Sequence, residues 1–139
     1  MRFFVVCPGG LEIPLAQELA EIAARPDSKA LGVWVIDQTP TSPTGGIGLS
    51  GPLSAAMALN LHSRIASRVL LQMAQAPYRQ EDDLYKLAGG LAWEDWFSSN
   101  QTLRVDVTAH RSPLKSLNFA TLKIKDAIVD RLRDVTGDR

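Results

Sequence analysis

The sequence predicts a mixed α/β (α+β) fold, because strand patterns and helical patterns alternate along its 139 residues. Three observations lead to this prediction. Residues 3–7 are a short apolar run that ends at a Pro-Gly-Gly turn, which is typical of a buried strand. Residues 11–24 repeat apolar side chains at helical spacing, with Gln17, Glu18 and Glu21 predicted on the opposite side. Residues 117–135 show the same helical period, which predicts a final helix.

The remaining elements follow from turn residues and side-chain periodicity. Residues 102–109 alternate apolar with polar side chains, which predicts a half-buried strand with one polar face. Pro52 suits the first turn of a helix. The other predicted strands are 31–36, 46–49 and 69–74, and the other predicted helices are 53–61, 81–91 and 93–97. A composition shift near 38–51 places the predicted domain boundary after residue 51, which gives domains 1–51 and 52–139.

Composition indicates a globular protein rather than a membrane protein or a strongly basic nucleic-acid binder. Hydrophobic residues make up 45% of the chain, and no apolar run approaches the 18 residues that a spanning helix needs. A single cysteine excludes an internal disulfide and fits a reducing cytosol, so we expect a cytoplasmic location. The net charge is zero overall, but it is −2 over residues 1–60, −1 over 61–110 and +3 over 111–139.

The sequence contains no motif that predicts a catalytic, metal-binding or cofactor-binding site. Residues 46–51 match Gly-x-Gly-x-x-Gly, but no strand precedes them and no acidic residue follows at the distance that a dinucleotide site requires. The two histidines, His62 and His110, have no helical partner for a metal. Trp34, Trp93 and Trp96 could stack on bases, although their apolar surroundings favour packing in a core.

The basic residues offer the candidate binding site. Arg64 and Arg68 are four apart and would share a face of a helix. Lys123 and Lys125 lie on opposite edges of the apolar stripe of the final helix, which favours a packing role for that helix. The loop before it, residues 110–118, could meet an RNA phosphate with basic side chains and helix N–H groups. The candidate RNA contacts are Arg64, Arg68, Arg111, Lys115, Asn118, Lys123 and Lys125.

Several short motifs occur in an order that resembles one family. Phe4 is followed by Pro8-Gly-Gly-Leu-Glu, residues 63–69 read Ser-Arg-Ile-Ala-Ser-Arg-Val, and residues 123–130 read Lys-Ile-Lys-Asp-Ala-Ile-Val-Asp. Together they resemble the N-terminal part of THUMP-domain RNA methyltransferases of the large-subunit ribosomal RNA guanine-N2 type. The resemblance covers nearly the whole chain.

This resemblance implies a ferredoxin-like N-terminal subdomain followed by a THUMP α/β subdomain that binds RNA. A Rossmann-like domain that uses S-adenosylmethionine would follow further on. The chain contains no Asp-Pro-Phe-Cys-Gly-Ser-Gly or Asn-Pro-Pro-Tyr segment of that domain, so we expect it to be non-catalytic by itself and to hold no cofactor. A well-patterned helix that ends so close to Arg139 predicts that the THUMP part is incomplete.

We therefore expect an RNA-binding region that positions RNA for a catalytic domain outside this chain, and the resemblance implies RNA of the large ribosomal subunit. One alternative is a non-catalytic protein-interaction module, which the zero net charge favours. Such a module could self-associate through an exposed sheet edge. Another alternative is the THUMP domain of a transfer-RNA-modifying enzyme, either a methyltransferase or a thiouridine synthase.

Overall fold

The chain forms two compact units, which we call the N-terminal unit (Met1–Met73) and the C-terminal unit (Ala74–Arg139). Their structure comes from a computed structural model. It describes residues 1–30, 32–37, 44–109 and 112–137. Within these ranges, no helix combines the length and the hydropathy needed to cross a membrane.

The N-terminal unit is a four-stranded antiparallel sheet with helices between its strands. The sheet order is β2-β3-β1-β4, with β1 paired to both β3 and β4. This β-α-β-β-α-β order confirms the ferredoxin-like fold that the resemblance implies. Its elements are β1 (Arg2–Val6), α1 (Glu12–Ala24), α2 (Pro26–Lys29), β2 (Val35–Ile36), β3 (Gly46–Ser50), α3 (Leu53–His62) and β4 (Arg68–Leu71).

The two faces of this sheet differ because successive side chains of a strand point to opposite sides. Phe3 and Val5 of β1 are buried, and they stand opposite Leu49 and Ile47 of β3. These side chains join one apolar cluster with residues of α1 and α3, so both helices pack on that face. Arg2, Phe4 and Val6 therefore lie on the other face, which we call the open face.

The C-terminal unit contains α4 (Glu81–Gly89), a 3-10 turn (Trp93–Asp95) and α5 (Leu117–Thr136). Buried alanines line both helices, Ala88 on α4 and Ala127 on α5. Small side chains let two helices approach closely, which explains why α4 and α5 form the main contact of this unit.

Capping side chains define where the two long helices of this unit begin. Gln80 and Asp83 form a capping box at the start of α4, and the Ser116 hydroxyl accepts a hydrogen bond from the Phe119 N–H at the start of α5. Gly137 ends α5 in the left-handed conformation, with φ of 72°. Three acidic residues, Glu81, Asp82 and Asp83, occupy the first turn of α4, where the helix dipole favours negative charge.

Residues 102–109 form no strand with any described part of the chain, contrary to prediction. The alternation is present, because Leu103, Val105 and Val107 are half-buried while the residues between them are exposed. A strand also requires a hydrogen-bonded neighbour, and the pattern of one segment cannot report whether a neighbour exists. Side-chain alternation and strand pairing are thus separate properties here.

The division between the units falls after Met73, whereas the predicted boundary fell after residue 51. The difference has a physical cause. β4 pairs with β1, and α3 packs on the same apolar cluster, so residues 53–71 complete the N-terminal sheet. The composition shift near residues 38–51 therefore falls inside this unit, between β2 and α3.

Candidate nucleic-acid interface

Arg64 lies in the turn after α3, and a buried glutamate of α1 holds that turn in place. The Glu18 carboxylate accepts hydrogen bonds from the Ser63 hydroxyl at 2.5 Å and from the backbone N–H groups of Arg64 at 2.9 Å and Ile65 at 3.2 Å. The Arg64 Nε lies 3.6 Å from the Glu18 Oε1, yet 88% of the Arg64 side chain is exposed. The backbone of Arg64 is thus anchored while its guanidinium reaches solvent.

The carboxylate of Glu18 is stabilised in its charged form. Burial raises its pKa, but the hydroxyl of Ser63 and the N–H groups of Arg64 and Ile65 outweigh this effect, with a further contribution from the Arg64 charge. The net result is a lowered pKa. Glu18 therefore stays ionised at neutral pH and offsets part of the positive charge of Arg64.

Arg68 does not share a helical face with Arg64, so that prediction is wrong. α3 ends at His62 because Ser63 adopts an extended conformation, with φ of −74° and ψ of 137°. Arg68 is the first residue of β4 and pairs with Val6, which places it exposed on the open face. Arg64 contacts α1 on the covered side. The two arginines therefore serve opposite sides of the sheet.

In the C-terminal unit, the N-terminus of α5 presents a basic side chain beside unpaired backbone donors. Lys115 and Asn118 are exposed on either side of the capping residue Ser116. No acidic residue occupies the first turn of this 20-residue helix. A helix N-terminus carries partial positive charge and points N–H groups outward, so this end favours an anion. Arg111, the remaining candidate in this loop, lies outside the described residues.

Lys123 and Lys125 have different surroundings. The Lys123 ammonium donates to the Asp82 carboxylate at 2.9 Å and lies 5.7 Å and 5.6 Å from the ring centres of Tyr85 and Phe119. Lys123 therefore helps to join α5 to α4. Lys125 is more exposed, and its ionic contact among the described residues is a 3.8 Å ion pair with its neighbour Asp126. Of the two lysines, Lys125 is the freer to meet a ligand.

Asn118 and Lys125 lie on the same side of α5. They are seven residues apart, which is close to two helical turns. Leu122 lies between them on that side, and it is 52% exposed. The structure thus aligns Asn118 and Lys125 along one exposed strip of α5, and the exposed Lys115 comes just before this helix in the chain. We call Lys115, Asn118 and Lys125 the α5 strip.

Sequence reasoning missed the structural role of Glu18, which it placed on the polar side of α1. Glu18 is only 7% exposed. A signal for this was present, since at about 100° per residue Glu18 lies about 60° from Leu15 and therefore at the edge of the apolar stripe. Its hydrogen-bonding partners, however, come from a turn 45 to 47 residues further along the chain.

The other motifs of the sequence have structural roles. Gly46 to Ser50 form β3, so the glycine-rich segment is a strand of the sheet. His62 lies 3.6 Å from Asp27, and His110 lies outside the described residues. Trp93 donates to the Ala88 carbonyl at 2.7 Å, whereas Trp96 is 50% exposed. Within the described ranges, no group of histidine, cysteine or acidic side chains could hold a metal ion.

Two family descriptions match the chain, one for each unit. Residues 2–70 match the RlmL ferredoxin-like domain, and residues 78–139 match the THUMP domain. Residues 71–77 separate the two matched ranges, and the division that the structure shows after Met73 falls among them.

Curated relatives carry one name. The chain is 36% identical over 96% of its length to "Ribosomal RNA large subunit methyltransferase K/L" of Syntrophotalea carbinolica. It is 37% identical over 99% of its length to the protein of the same name in Pseudomonas savastanoi pv. phaseolicola. The chain spans only 17% of the length of these relatives.

Two solved structures share the fold. One is described as a "predicted N6-adenine-specific DNA methylase" from Listeria monocytogenes, with a TM-score of 0.78 and 24% identity over 96% of this chain and 32% of the other. The second is a "possible methylase" from Clostridium difficile, with a TM-score of 0.79 and 19% identity over 99% of this chain and 33% of the other. At these identities the likeness concerns the fold.

Proposed function

We propose an RNA-binding function for this chain, whose residues 2–70 match the RlmL ferredoxin-like domain and whose residues 78–139 match the THUMP domain. The chain acts as the RNA-positioning region of a longer ribosomal RNA (guanine-N2) methyltransferase. Methyl transfer from S-adenosylmethionine takes place in another domain of that protein. The location is the cytoplasm. The RNA belongs to the large ribosomal subunit, in keeping with the name of the relatives.

The α5 strip is the observation that carries this proposal. Its exposed Lys115 and Lys125 supply charge, the Asn118 side chain supplies a hydrogen-bonding group, and the first turn of α5 supplies backbone N–H groups. Phosphate oxygens accept from all of these donors. Such contacts fix the position of an RNA without reading its sequence, which suits a region that presents RNA to a separate catalytic domain.

The seven candidate contacts do not carry equal weight. The α5 strip comes first, together with Arg111, which precedes it in the sequence and lies outside the described residues. Arg64 and Arg68 follow as exposed cations of the N-terminal unit. Lys123 comes last, because its ammonium already contacts Asp82 and two aromatic rings.

The test measures RNA affinity as a function of salt for the wild type and for Lys115→Gln and Lys125→Gln. Each substitution removes one phosphate contact, so we expect weaker binding and a salt slope reduced by about 0.7 to 0.9. Lys86→Gln is the matched control, since it removes an exposed charge from α4 instead. Equal losses from all three variants would show that binding follows net charge alone and would overturn the assignment to the α5 strip.

Catalysis elsewhere in the longer protein is tested separately. Incubated with RNA and S-adenosylmethionine carrying a labelled methyl group, this chain should transfer no label. Label recovered in RNA would contradict the division of labour proposed here.

The identity of the RNA is tested by competition. An unlabelled fragment of large-subunit ribosomal RNA should displace a bound ribosomal RNA probe at lower concentration than a transfer RNA does. The opposite order would favour a transfer-RNA-modifying enzyme as the parent protein.

Self-association is a second candidate function, favoured by the edge strand β4, which pairs only with β1 among the described residues. An unpaired edge can accept another chain. Light scattering at increasing protein concentration tests it, and a constant monomer mass would rule it out.

A further inference from the structure

The open face of the N-terminal sheet carries one aromatic side chain at its centre. Phe4 lies on β1, the strand between β3 and β4, and is paired with Gly48 on one side and Leu70 on the other. Arg2 and Val6 are its neighbours on the same face. No helix of the N-terminal unit packs here, because the apolar cluster that binds α1 and α3 lies on the opposite face.

Two glycines of β3 leave space on the open face, Gly46 for the Phe4 ring and Gly48 for the Asp37 carboxylate. A Cβ atom added to Gly46 would lie 2.8 Å and 2.9 Å from ring carbons of Phe4, so the ring lies against the bare backbone of Gly46. A Cβ on Gly48 would lie 2.0 Å from the Asp37 carboxylate. Side chains at either position would therefore displace their neighbours. Because Gly46 has no side chain, the Phe4 ring lies close to the backbone of β3 on the open face.

Two arginines flank this ring. Arg2 is two residues before Phe4 on the same strand, a separation of about 7 Å. Its guanidinium is fixed by the Asp37 carboxylate at 2.6 Å and by Gln72 at 3.1 Å. Arg68 stands opposite Val6, diagonal to Phe4, and is exposed. An aromatic ring thus lies between two cations, one of them already oriented by its partners.

We infer that the open face binds an unpaired nucleotide of RNA, with the base stacked on Phe4 and a flanking phosphate at Arg68. This inference rests on the proposed function and adds a second contact, specific for single-stranded RNA. Stacking on an aromatic side chain requires a base that is free of its own stack, whereas phosphate contacts do not. Antiparallel sheets with exposed aromatic side chains bind single-stranded RNA in this way in other proteins.

The charges of the face favour RNA as the occupant. Asp37 is paired with Arg2, so among the described residues of the face Arg68 provides the uncompensated charge, which is positive. Leu70, 46% exposed, adds apolar surface beside the ring on the β4 side. The α5 strip contains no aromatic side chain, so the two surfaces make different demands on the RNA.

The experiment uses an unstructured RNA oligonucleotide with 2-aminopurine at its centre, whose fluorescence reports base stacking. We expect a change in fluorescence on binding to the wild type and an affinity about tenfold lower for Phe4→Leu. Phe4→Tyr keeps a ring and should bind like the wild type. Leu61→Ala, which truncates a 76% exposed side chain of α3, is the control for loss of apolar surface.

Arg68→Gln provides an independent variant if Phe4→Leu does not fold. It should weaken binding of the oligonucleotide and reduce the salt slope by about 0.7. Unchanged affinity and fluorescence for both Phe4→Leu and Arg68→Gln would overturn the inference. Binding of structured ribosomal RNA through the α5 strip would then still stand. A wild-type protein that binds neither RNA would overturn the proposed function itself.

Discussion

The two units are held together in different ways. Among the described residues, the largest fully buried side chains all belong to the N-terminal unit, and they include Phe3, Leu15 and Leu19. The C-terminal unit buries smaller side chains of α4 and α5, chiefly alanines, together with Ile128 and Leu132. Stability from apolar burial scales with the area removed from water, so the N-terminal unit depends more strongly on its core.

Polar contacts compensate in the C-terminal unit. Tyr85 donates to the Asp130 carboxylate at 2.8 Å, and Arg131 forms two hydrogen bonds with Glu94. The pKa of Tyr85 is raised. The largest cause is its hydrogen bond to Asp130, and burial and nearby acidic charges raise it further. These partly exposed contacts join α4 and the 3-10 turn to α5. The helix α5, which we propose contacts RNA, is therefore positioned by hydrogen bonds and an ion pair rather than by a deep apolar core.

The largest expected effect is the truncation of a core leucine in the N-terminal unit. Leu19→Ala removes a fully buried side chain, and we expect a loss of about 3 kcal/mol in the free energy of unfolding. Leu132→Ala should cost less because its surroundings contain small side chains and are closer to solvent. Urea denaturation measures both. Equal losses would contradict the difference between the two cores.

The next effect concerns the buried brace at Glu18. Glu18→Ala leaves the N–H groups of Arg64 and Ile65 without their acceptor, which should cost about 2 kcal/mol. Glu21→Ala is the matched control, since Glu21 is an exposed glutamate of the same helix. A loss of equal size in both variants would show that burial of the carboxylate is unimportant.

The pKa of Glu18 predicts how this contribution depends on pH. Because the folded-state pKa is lowered, the stabilisation is complete above the unfolded-state value of about 4.3 and is lost as the pH falls through the folded-state pKa. Glu18→Gln should therefore flatten the decline of stability in acid. Unfolding curves between neutral and acidic pH measure it, and an unchanged decline would assign the acid sensitivity to other carboxylates.

The smallest expected effect on stability comes from removing the ion pair between Arg131 and Glu94 in the C-terminal unit. Arg131→Met should destabilise less than Leu19→Ala, and high salt should reduce the difference from the wild type because salt screens partly exposed charges. Hydrogen bonding to Glu94 raises the pKa of Arg131, so its charge persists across the accessible pH range. Thermal unfolding at low and high salt tests this. A difference that does not respond to salt would point to packing of the arginine stem.

Periodicity predicted most of the helices and strands but not their connections. The apolar spacing of α1 and α5 and the short run at β1 were sufficient, because local patterns report which side of an element is buried. The predicted helix 53–61 ended one residue before the observed end of α3 at His62. The prediction that Arg64 and Arg68 share a helical face still failed, because the extended Ser63 ends the helix before both arginines. The short helix α2 was not predicted, since its four residues are too few to show a period.

The candidate site could be predicted only in its local part. Lys115 and Asn118 are neighbours in sequence, so their position at a helix N-terminus follows from the pattern. The contact of Lys123 with Asp82 joins residues 41 apart and depends on how α4 and α5 pack. The open face required the register of β1 against β3 and β4, which no single segment of sequence contains.

The side chain of Glu12 occupies an anion-binding group of backbone N–H donors in the N-terminal unit. Its carboxylate is 5% exposed and accepts from the backbone N–H groups of Gly10 at 2.8 Å and of Thr44 and Gly45 at 3.0 Å each. Such a group of converging N–H donors is a receptor for anions in general. In this protein the bound anion is the side-chain carboxylate of Glu12 itself. A Glu12→Gly variant leaves the same N–H donors without their acceptor, so added formate or acetate should bind there and stabilise the variant.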